Sequence, residues 1–146
     1  MRDVKFRAKR VDDGQWVYGS YLAHKECVEY VGNGRQAPVK HLILHDGFAA
    51  CSLRLSVECC EVDPATVGEF SGVYDKHGTP IYEGDIVRKR TYQGIKPCVV
   101  MFSFGCFHCG FGGGSSTASH PYLLDDKNIE VIGNVHDNPE LLDGDR

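Results

Sequence analysis

The pattern with the clearest chemical potential is Cys106-Phe107-His108-Cys109, in which two thiols stand three positions apart. Two thiolates at this spacing can bind one zinc ion from a tight turn, but a structural zinc site needs four ligands. The chain has no second pair of cysteines at this spacing, and glycines at 110 and 112–114 are typical of a loop. We therefore expect reduced thiols at the end of a strand. Zinc bound by Cys106, His108 and Cys109 is the alternative.

A second set of polar residues, Asp75, His77, Glu83 and Asp85, would suit a metal-assisted hydrolase, because carboxylates and imidazoles bind metals and transfer protons. Their closeness in the sequence is the only support for this. Gly84 permits a sharp turn, and Asp85 beside it can accept hydrogen bonds from backbone N–H groups there. We expect that structural role, and we expect no catalytic or cofactor-binding residue in the chain.

Basic residues are concentrated in two short stretches, at 2–10 and 88–96, although the net charge is −4 and the isoelectric point about 5.9. If the two stretches were neighbours, they would form a groove that follows a phosphate backbone, with an aromatic side chain for base stacking. The predicted nucleic-acid contacts are Lys5, Arg7, Lys9, Arg88, Lys89, Arg90 and Tyr92. The alternative, which we favour, is that the first stretch is the solvated face of an edge strand, where such residues discourage pairing with other chains.

The composition of the 146 residues, 42% hydrophobic and 25% charged, is that of a soluble globular chain. No apolar run approaches the ~20 residues of a membrane span. The alternating start at 1–6 does not resemble a signal peptide, and the cysteine count of 7 is odd. We therefore expect a cytoplasmic protein with reduced thiols and no membrane contact.

The elements that would position these residues are short strands. Residues 4–8 alternate between apolar and basic, Asp12-Asp13-Gly14 supplies a turn, and 16–22 returns as a second strand. Asp63-Pro64 favours a capped turn or short helix, and Pro139 a terminal turn. The segment 48–57 fits a strand or a helix. Further strands are predicted at 27–31, 39–44, 66–74 (with a bulge), 81–88, 98–102 and 129–135.

Three segments together resemble the YopX family of phage and prophage proteins. The first joins residues 2–8 to Trp16-Val17-Tyr18-Gly19, and the second, which is the most specific, runs from 66 through Asp75-Lys76-His77-Gly78 to 87. The third runs from 130 to 142. The segment 103–121, with its cysteines, histidines and glycines, is not a signature of that family.

This resemblance implies a mainly β fold with an SH3-like barrel portion, and a bacterial cytoplasm during phage or prophage expression. It brings no established reaction, cofactor or ligand. We expect a single domain over 1–146, with an N-terminal hairpin region (1–62), a barrel-like region (63–142) and a flexible Gly/Ser-rich loop (105–119) within the latter. The motif positions expected to be structural are Gly68, Gly72, Gly78, Glu83, Gly84, Asp85, Gly133 and Asn134.

These observations predict a non-enzymatic accessory protein that acts through a protein partner or through self-association. A nucleic-acid-binding module is the alternative, and a metal-assisted hydrolase is a third hypothesis. Zinc is the one cofactor that the sequence suggests.

Overall fold

The computed structural model describes residues 4–25, 39–47, 56–91, 94–103, 105–110 and 128–142. These residues belong to two compact units, an N-terminal unit (Lys5–Val67) and a C-terminal unit (Gly68–Arg146 with Met1–Val4). The described residues form ten antiparallel strands and two 3₁₀ turns, which confirms the expected mainly β class. In these ranges no helix is long and apolar enough to cross a bilayer.

Four strands build the N-terminal unit: β1 (Phe6–Lys9), β2 (Trp16–Lys25), β3 (Val39–Gly47) and β4 (Ser56–Glu61). Each pairs with the next in antiparallel register. The β1–β2 hairpin confirms the predicted turn, because Gly14 adopts a φ of +70° that residues with a side chain rarely adopt. The predicted strand at 27–31 and most of the ambiguous segment 48–57 lie outside the described residues.

The core of the N-terminal unit lies on one face of these strands. Ala8, Ile43 and Val62 are buried there, with Phe6 and Tyr21 among the side chains packed against them. After β4 the chain returns to the end of β1, where the Val11 N–H donates to the Glu61 carbonyl. The predicted turn follows as a 3₁₀ turn (Pro64–Thr66), capped by the Asp63 carboxylate, which accepts from the Ala65 N–H at 2.9 Å.

The C-terminal unit begins with a hairpin of β5 (Gly68–Tyr74) and β6 (Pro80–Tyr82). Its register shifts between Phe70 and Tyr74, so the predicted strand irregularity is present. A four-stranded sheet follows, in the spatial order β10-β7-β8-β9. Its strands are β7 (Asp85–Thr91), β8 (Gly94–Ser103), β9 (Cys106–Gly110) and β10 (Glu130–Asn134).

The core of the C-terminal unit is formed by Ile81, Val87, Cys98, Val100 and Ile129, all buried. The predicted terminal turn is a 3₁₀ turn at Pro139–Leu142. Because β7–β10 form an open sheet in the described residues, the SH3-like barrel portion stays a prediction.

The predicted loop at 105–119 needs a correction over part of its length. Cys106–Gly110 form strand β9 and pair with Val99 to Ser103 of β8, and residues 111–119 lie outside the described residues. The glycines after Cys109 indicated a loop. However, Phe107 and Cys109 bury apolar surface against the core, which favours the strand.

Candidate functional site

The face of the N-terminal sheet opposite to Ile43 carries exposed apolar side chains. Residues that face each other across an antiparallel ladder point to the same side, so the register places Tyr18, Leu22, Leu42 and Leu44 together. Tyr18 is 51% exposed and Leu22 is 43% exposed, whereas the two leucines of β3 are half-buried. We call this surface the outer face. A contiguous apolar patch of this kind is typical of an interaction surface.

Charges of opposite sign border the apolar residues of the outer face. On one side, β1 contributes Arg7 opposite Tyr18 and Lys9 opposite Trp16. On the other, β4 contributes the exposed Glu61 opposite Leu42. Lys40, opposite His24 at the far end of β3, adds a positive charge. The outer face is therefore basic along β1 and acidic toward β4.

Two of the predicted nucleic-acid contacts interact with the single tryptophan. The Arg7 guanidinium carbon lies 4.7 Å from the centre of the Trp16 ring, and Lys9 Nζ lies 5.4 Å from it. Both distances are within the range of cation–π attraction. Arg7 is only 8% exposed, so the first basic stretch is more than a solvated strand face. Lys5, just before β1, is exposed.

The second basic stretch is divided between the two sides of β7. Arg88 and Arg90 alternate with Lys89, which lies opposite Lys96 of β8. Arg88 Nη1 is 3.7 Å from Glu130 Oε2, and Lys76 Nζ is 2.8 Å from the same oxygen. The Lys76 hydrogen bond lowers the pKa of Glu130, with Arg88 and His77 adding to the effect. Tyr92 lies outside the described residues. The two basic stretches belong to different units.

The structure does not bring the cysteines of the predicted zinc motif together. Side chains alternate along β9, so Cys106 and His108 point to one side and Cys109 to the other, where it packs on the core. Cys109 is hydrogen-bonded to Cys98, and this contact together with burial raises the pKa of the Cys98 thiol. On the opposite side, His108 Nε2 is 3.3 Å from Ser103 Oγ. Within the described ranges, no three His, Cys, Asp or Glu residues form a group that could hold a metal ion.

Asp75 uses its carboxylate to hold backbone. Oδ1 accepts from the N–H groups of His77 and Thr79, both at 2.8 Å, and Oδ2 accepts from the Val131 N–H at 3.2 Å. Burial by itself raises the pKa of Asp75, but the backbone hydrogen bonds outweigh burial and hold the pKa below its usual value. The side chain thus joins its own turn to β10, and this geometry is that of a structural clamp.

Glu83 and Asp85 of the predicted hydrolase set are also bound to backbone, whereas His77 Nε2 lies 3.6 Å from Glu130 Oε1. Asp85 is 1% exposed, and its Oδ2 accepts from the Tyr82 N–H at 2.8 Å. Glu83 Oε1 accepts from the Phe102 N–H at 3.3 Å. Gly84 between them has a φ of +81°, donates its N–H to Val100 and accepts from Val135. These contacts connect the turn after β6 to β8 and to the end of β10.

The remaining positions that we expected to be structural lie at turns or where another residue comes too close for a side chain. Gly72 and Gly78 each have a φ of +84°. A Cβ at Gly68 would lie 2.4 Å from the Glu83 carbonyl oxygen, and one at Gly133 would lie 2.6 Å from Asn138 Oδ1. Asn134 Oδ1 accepts from the N–H groups of the two residues after Val135, at 3.0 and 2.9 Å.

A thiol–imidazole pair lies on the core side of the N-terminal sheet. His45 Nε2 is 3.6 Å from Cys60 Sγ and 3.7 Å from Glu58 Oε2. Beside the pair opens a cavity of about 490 Å³, whose lining includes His45, Arg10 and Trp16. The pair depends on the register between β3 and β4, and no local pattern in the sequence indicates that register.

The family model for "YopX protein" matches residues 5–143 of this chain, which is nearly its whole length. The chain belongs to the YopX family. The predicted resemblance is thereby confirmed, and the match includes the segment 103–121 that carries no YopX signature. No curated protein sequence matches the chain.

A solved structure has the same fold as this YopX-family chain. The crystal structure of protein EF1440 from Enterococcus faecalis is similar, with a TM-score of 0.53 and 19% sequence identity. The match covers 97% of this chain and 99% of EF1440. At that identity the similarity shows the fold alone.

Proposed function

We propose that this YopX-family protein is a phage- or prophage-derived accessory module of the bacterial cytoplasm that binds through the outer face and pairs there with a second copy of itself. The observation that carries the proposal is the combination of exposed Tyr18 and Leu22 with charges of opposite sign at the two sides of the face.

The charge pattern is the reason for choosing a second copy as the occupant. In a two-fold symmetric dimer whose axis runs parallel to the strands, the β1 side of one face lies over the β4 side of its partner. A face that is basic along β1, where Arg7 and Lys9 lie, and acidic toward Glu61 on β4 is therefore complementary to itself. The apolar residues between them would supply the buried centre of the interface.

Replacing Tyr18 and Leu22 together by serine is expected to weaken self-association at least about a hundredfold, since each loses ~1.5 kcal/mol or more of apolar burial per copy. Sedimentation velocity over a wide concentration range measures this. Ile95→Ser is the matched control, because Ile95 is 65% exposed but lies on β8 of the other unit. A wild-type chain that stays monomeric at every concentration contradicts the proposal, as does equal weakening by Ile95→Ser.

A nucleic-acid-binding module is the second candidate, and the position of Arg7 and Lys9 against Trp16 favours it. Basic residues next to an aromatic ring are the combination that single-stranded nucleic acid binds. We expect a single-stranded oligonucleotide to quench Trp16 fluorescence at low salt, with an affinity that falls as salt rises. The double variant Lys5→Ala/Lys9→Ala should weaken oligonucleotide binding. The double variant Arg88→Ala/Arg90→Ala tests whether the second basic stretch also contributes to that affinity. Unchanged fluorescence at low salt would exclude this candidate.

A further inference from the structure

The pairing of β3 with β4 places a nucleophile next to a base. Ile43 lies opposite Cys60 and His45 lies opposite Glu58, so the thiol, the imidazole and the carboxylate share one side of the sheet. The separation of 3.6 Å between Cys60 Sγ and His45 Nε2 is a hydrogen-bond distance for sulfur. A cysteine within hydrogen-bond reach of a histidine is the arrangement that activates a thiol.

We propose that Cys60 is a modification site, at which a low-molecular-weight disulfide such as glutathione disulfide exchanges with the thiol while His45 accepts the proton. Cys60 and the outer-face leucines Leu42 and Leu44 lie on opposite sides of the sheet, and Tyr18 lines the cavity beside His45.

Charged side chains lie close to the pair. Glu58 Oε2, 3.7 Å from His45 Nε2, stabilises the imidazolium that forms when the thiol loses its proton. Arg10 interacts electrostatically with Cys60, although its direct partners are Asp12 and Asp13.

A cavity reaches the imidazole of the pair. Its volume of about 490 Å³ is within the range of ordinary ligand sites. His45 lines it directly and links it to Cys60, and the other lining residues are Arg10, Gln15, Trp16, Val17 and Tyr18. Aromatic, aliphatic and polar groups together suit a small peptide-like disulfide.

The exchange step balances without a further reactant. The Cys60 proton passes to His45 Nε2, and the thiolate attacks one sulfur of the disulfide. A new S–S bond forms on Cys60 and the original S–S bond breaks. Its other sulfur leaves with the bonding pair and takes the proton from His45. Cys60 is oxidised to a mixed disulfide, and half of the small disulfide is reduced to a thiol.

The neighbouring Cys59 is an internal control for the reactivity of Cys60. It precedes Cys60 in β4, so its side chain points to the outer face, opposite Leu44 and away from His45. Cys59 is exposed whereas Cys60 is half-buried. Accessibility alone therefore predicts that Cys59 reacts faster, and the proposal predicts the reverse. Because the two thiols point apart, Cys59 cannot displace the small thiol from Cys60, and the mixed disulfide should accumulate.

The experiment is to incubate the full chain with glutathione disulfide at neutral pH and to measure adduct formation by peptide mass spectrometry. Since both cysteines fall in one short peptide, Cys59→Ser and Cys60→Ser variants assign the site. We expect Cys60 to react at least about tenfold faster than Cys59. We also expect His45→Gln to slow the reaction at Cys60 about tenfold and to leave Cys59 unchanged.

Two results would overturn the proposal: modification of Cys59 at an equal or higher rate than Cys60, or an unchanged rate at Cys60 in a folded His45→Gln protein. If His45→Gln does not fold, as judged by Trp16 fluorescence, Glu58→Gln replaces it. That variant removes the carboxylate beside the imidazole, and it should slow Cys60 while leaving Cys59 unaffected.

Discussion

Replacing Gly19 by alanine is expected to destabilise the N-terminal unit by about 3 kcal/mol, at the upper end of ordinary overpacking. A Cβ at this position would lie 2.0 Å from the Leu44 carbonyl oxygen and 2.9 Å from its carbonyl carbon. These are backbone atoms, so no side-chain rotation can relieve the clash. The β2–β3 ladder would have to open near the Ser20–Leu44 pair.

Urea unfolding followed by fluorescence measures this loss in the right unit, because Trp16 is the single tryptophan and lies on β2. Gly14→Ala is the matched control. Its φ of +70° strains any side chain, but no atom lies within 4 Å of the added Cβ, so the expected cost is about 1 kcal/mol. Equal urea midpoints for Gly19→Ala and Gly14→Ala would show that the close approach of β2 and β3 does not add to the loss of stability.

Replacing Asp75 by asparagine is expected to destabilise the C-terminal unit by about 2 kcal/mol at neutral pH. Both carboxylate oxygens accept backbone N–H groups, from His77 and Thr79 on one side and Val131 on the other. An asparagine amide puts an N–H donor on one of these sides, where it faces another donor. The turn at 75–79 then loses part of its attachment to β10.

This destabilisation should depend on pH in a defined direction. The pKa of Asp75 is lowered in the folded state, so the folded protein binds the proton more weakly than the unfolded chain does. The contribution of the carboxylate is fully present above the unfolded pKa, about 3.9, and is lost as the pH falls through the folded value. The difference between wild type and Asp75→Asn should therefore shrink in acid.

Hydrogen exchange over β10, measured by mass spectrometry at neutral and acid pH, tests this prediction locally. Asp12→Asn is the control, since the pKa of Asp12 is also lowered, by its hydrogen bond to Arg10, but the Asp12 side chain is exposed. The exposed pair should change stability much less. A constant difference between wild type and Asp75→Asn at all pH values would contradict the assigned role of the charge.

Features that depend only on residues adjacent in the sequence could be predicted. Gly14 and Asp63-Pro64 set a turn and a cap through their own backbone preferences, and both are present in the structure. Strand β9 was missed because its glycine-rich continuation is locally typical of a loop. Because Cys106 and Cys109 lie in one strand at an odd spacing, their thiols point to opposite sides of the sheet.

The candidate sites depend on contacts that local patterns do not encode. The outer face needs the register of β1, β2 and β3, and a slip of one residue would move Leu42 and Leu44 to the other side. The approach of His45 to Cys60 needs the pairing of β3 with β4. The sequence predicted that the first ten residues carry a basic strand, but not that Arg7 is buried against Trp16.

The bond from Asp75 to Val131 joins residues that are 56 positions apart. Ile129, a core residue that is 2% exposed, lies two positions before Val131 and is therefore also synthesised late. During synthesis the C-terminal unit therefore cannot complete its core until the ribosome has passed residue 131, whereas the β1–β4 pairings need only the first 61 residues. Such long-range pairing slows folding. The two units should thus acquire their structure in sequence, and a chain stalled between them would expose the core side chains Val87, Cys98 and Val100 of the β7–β8 hairpin without its final strand.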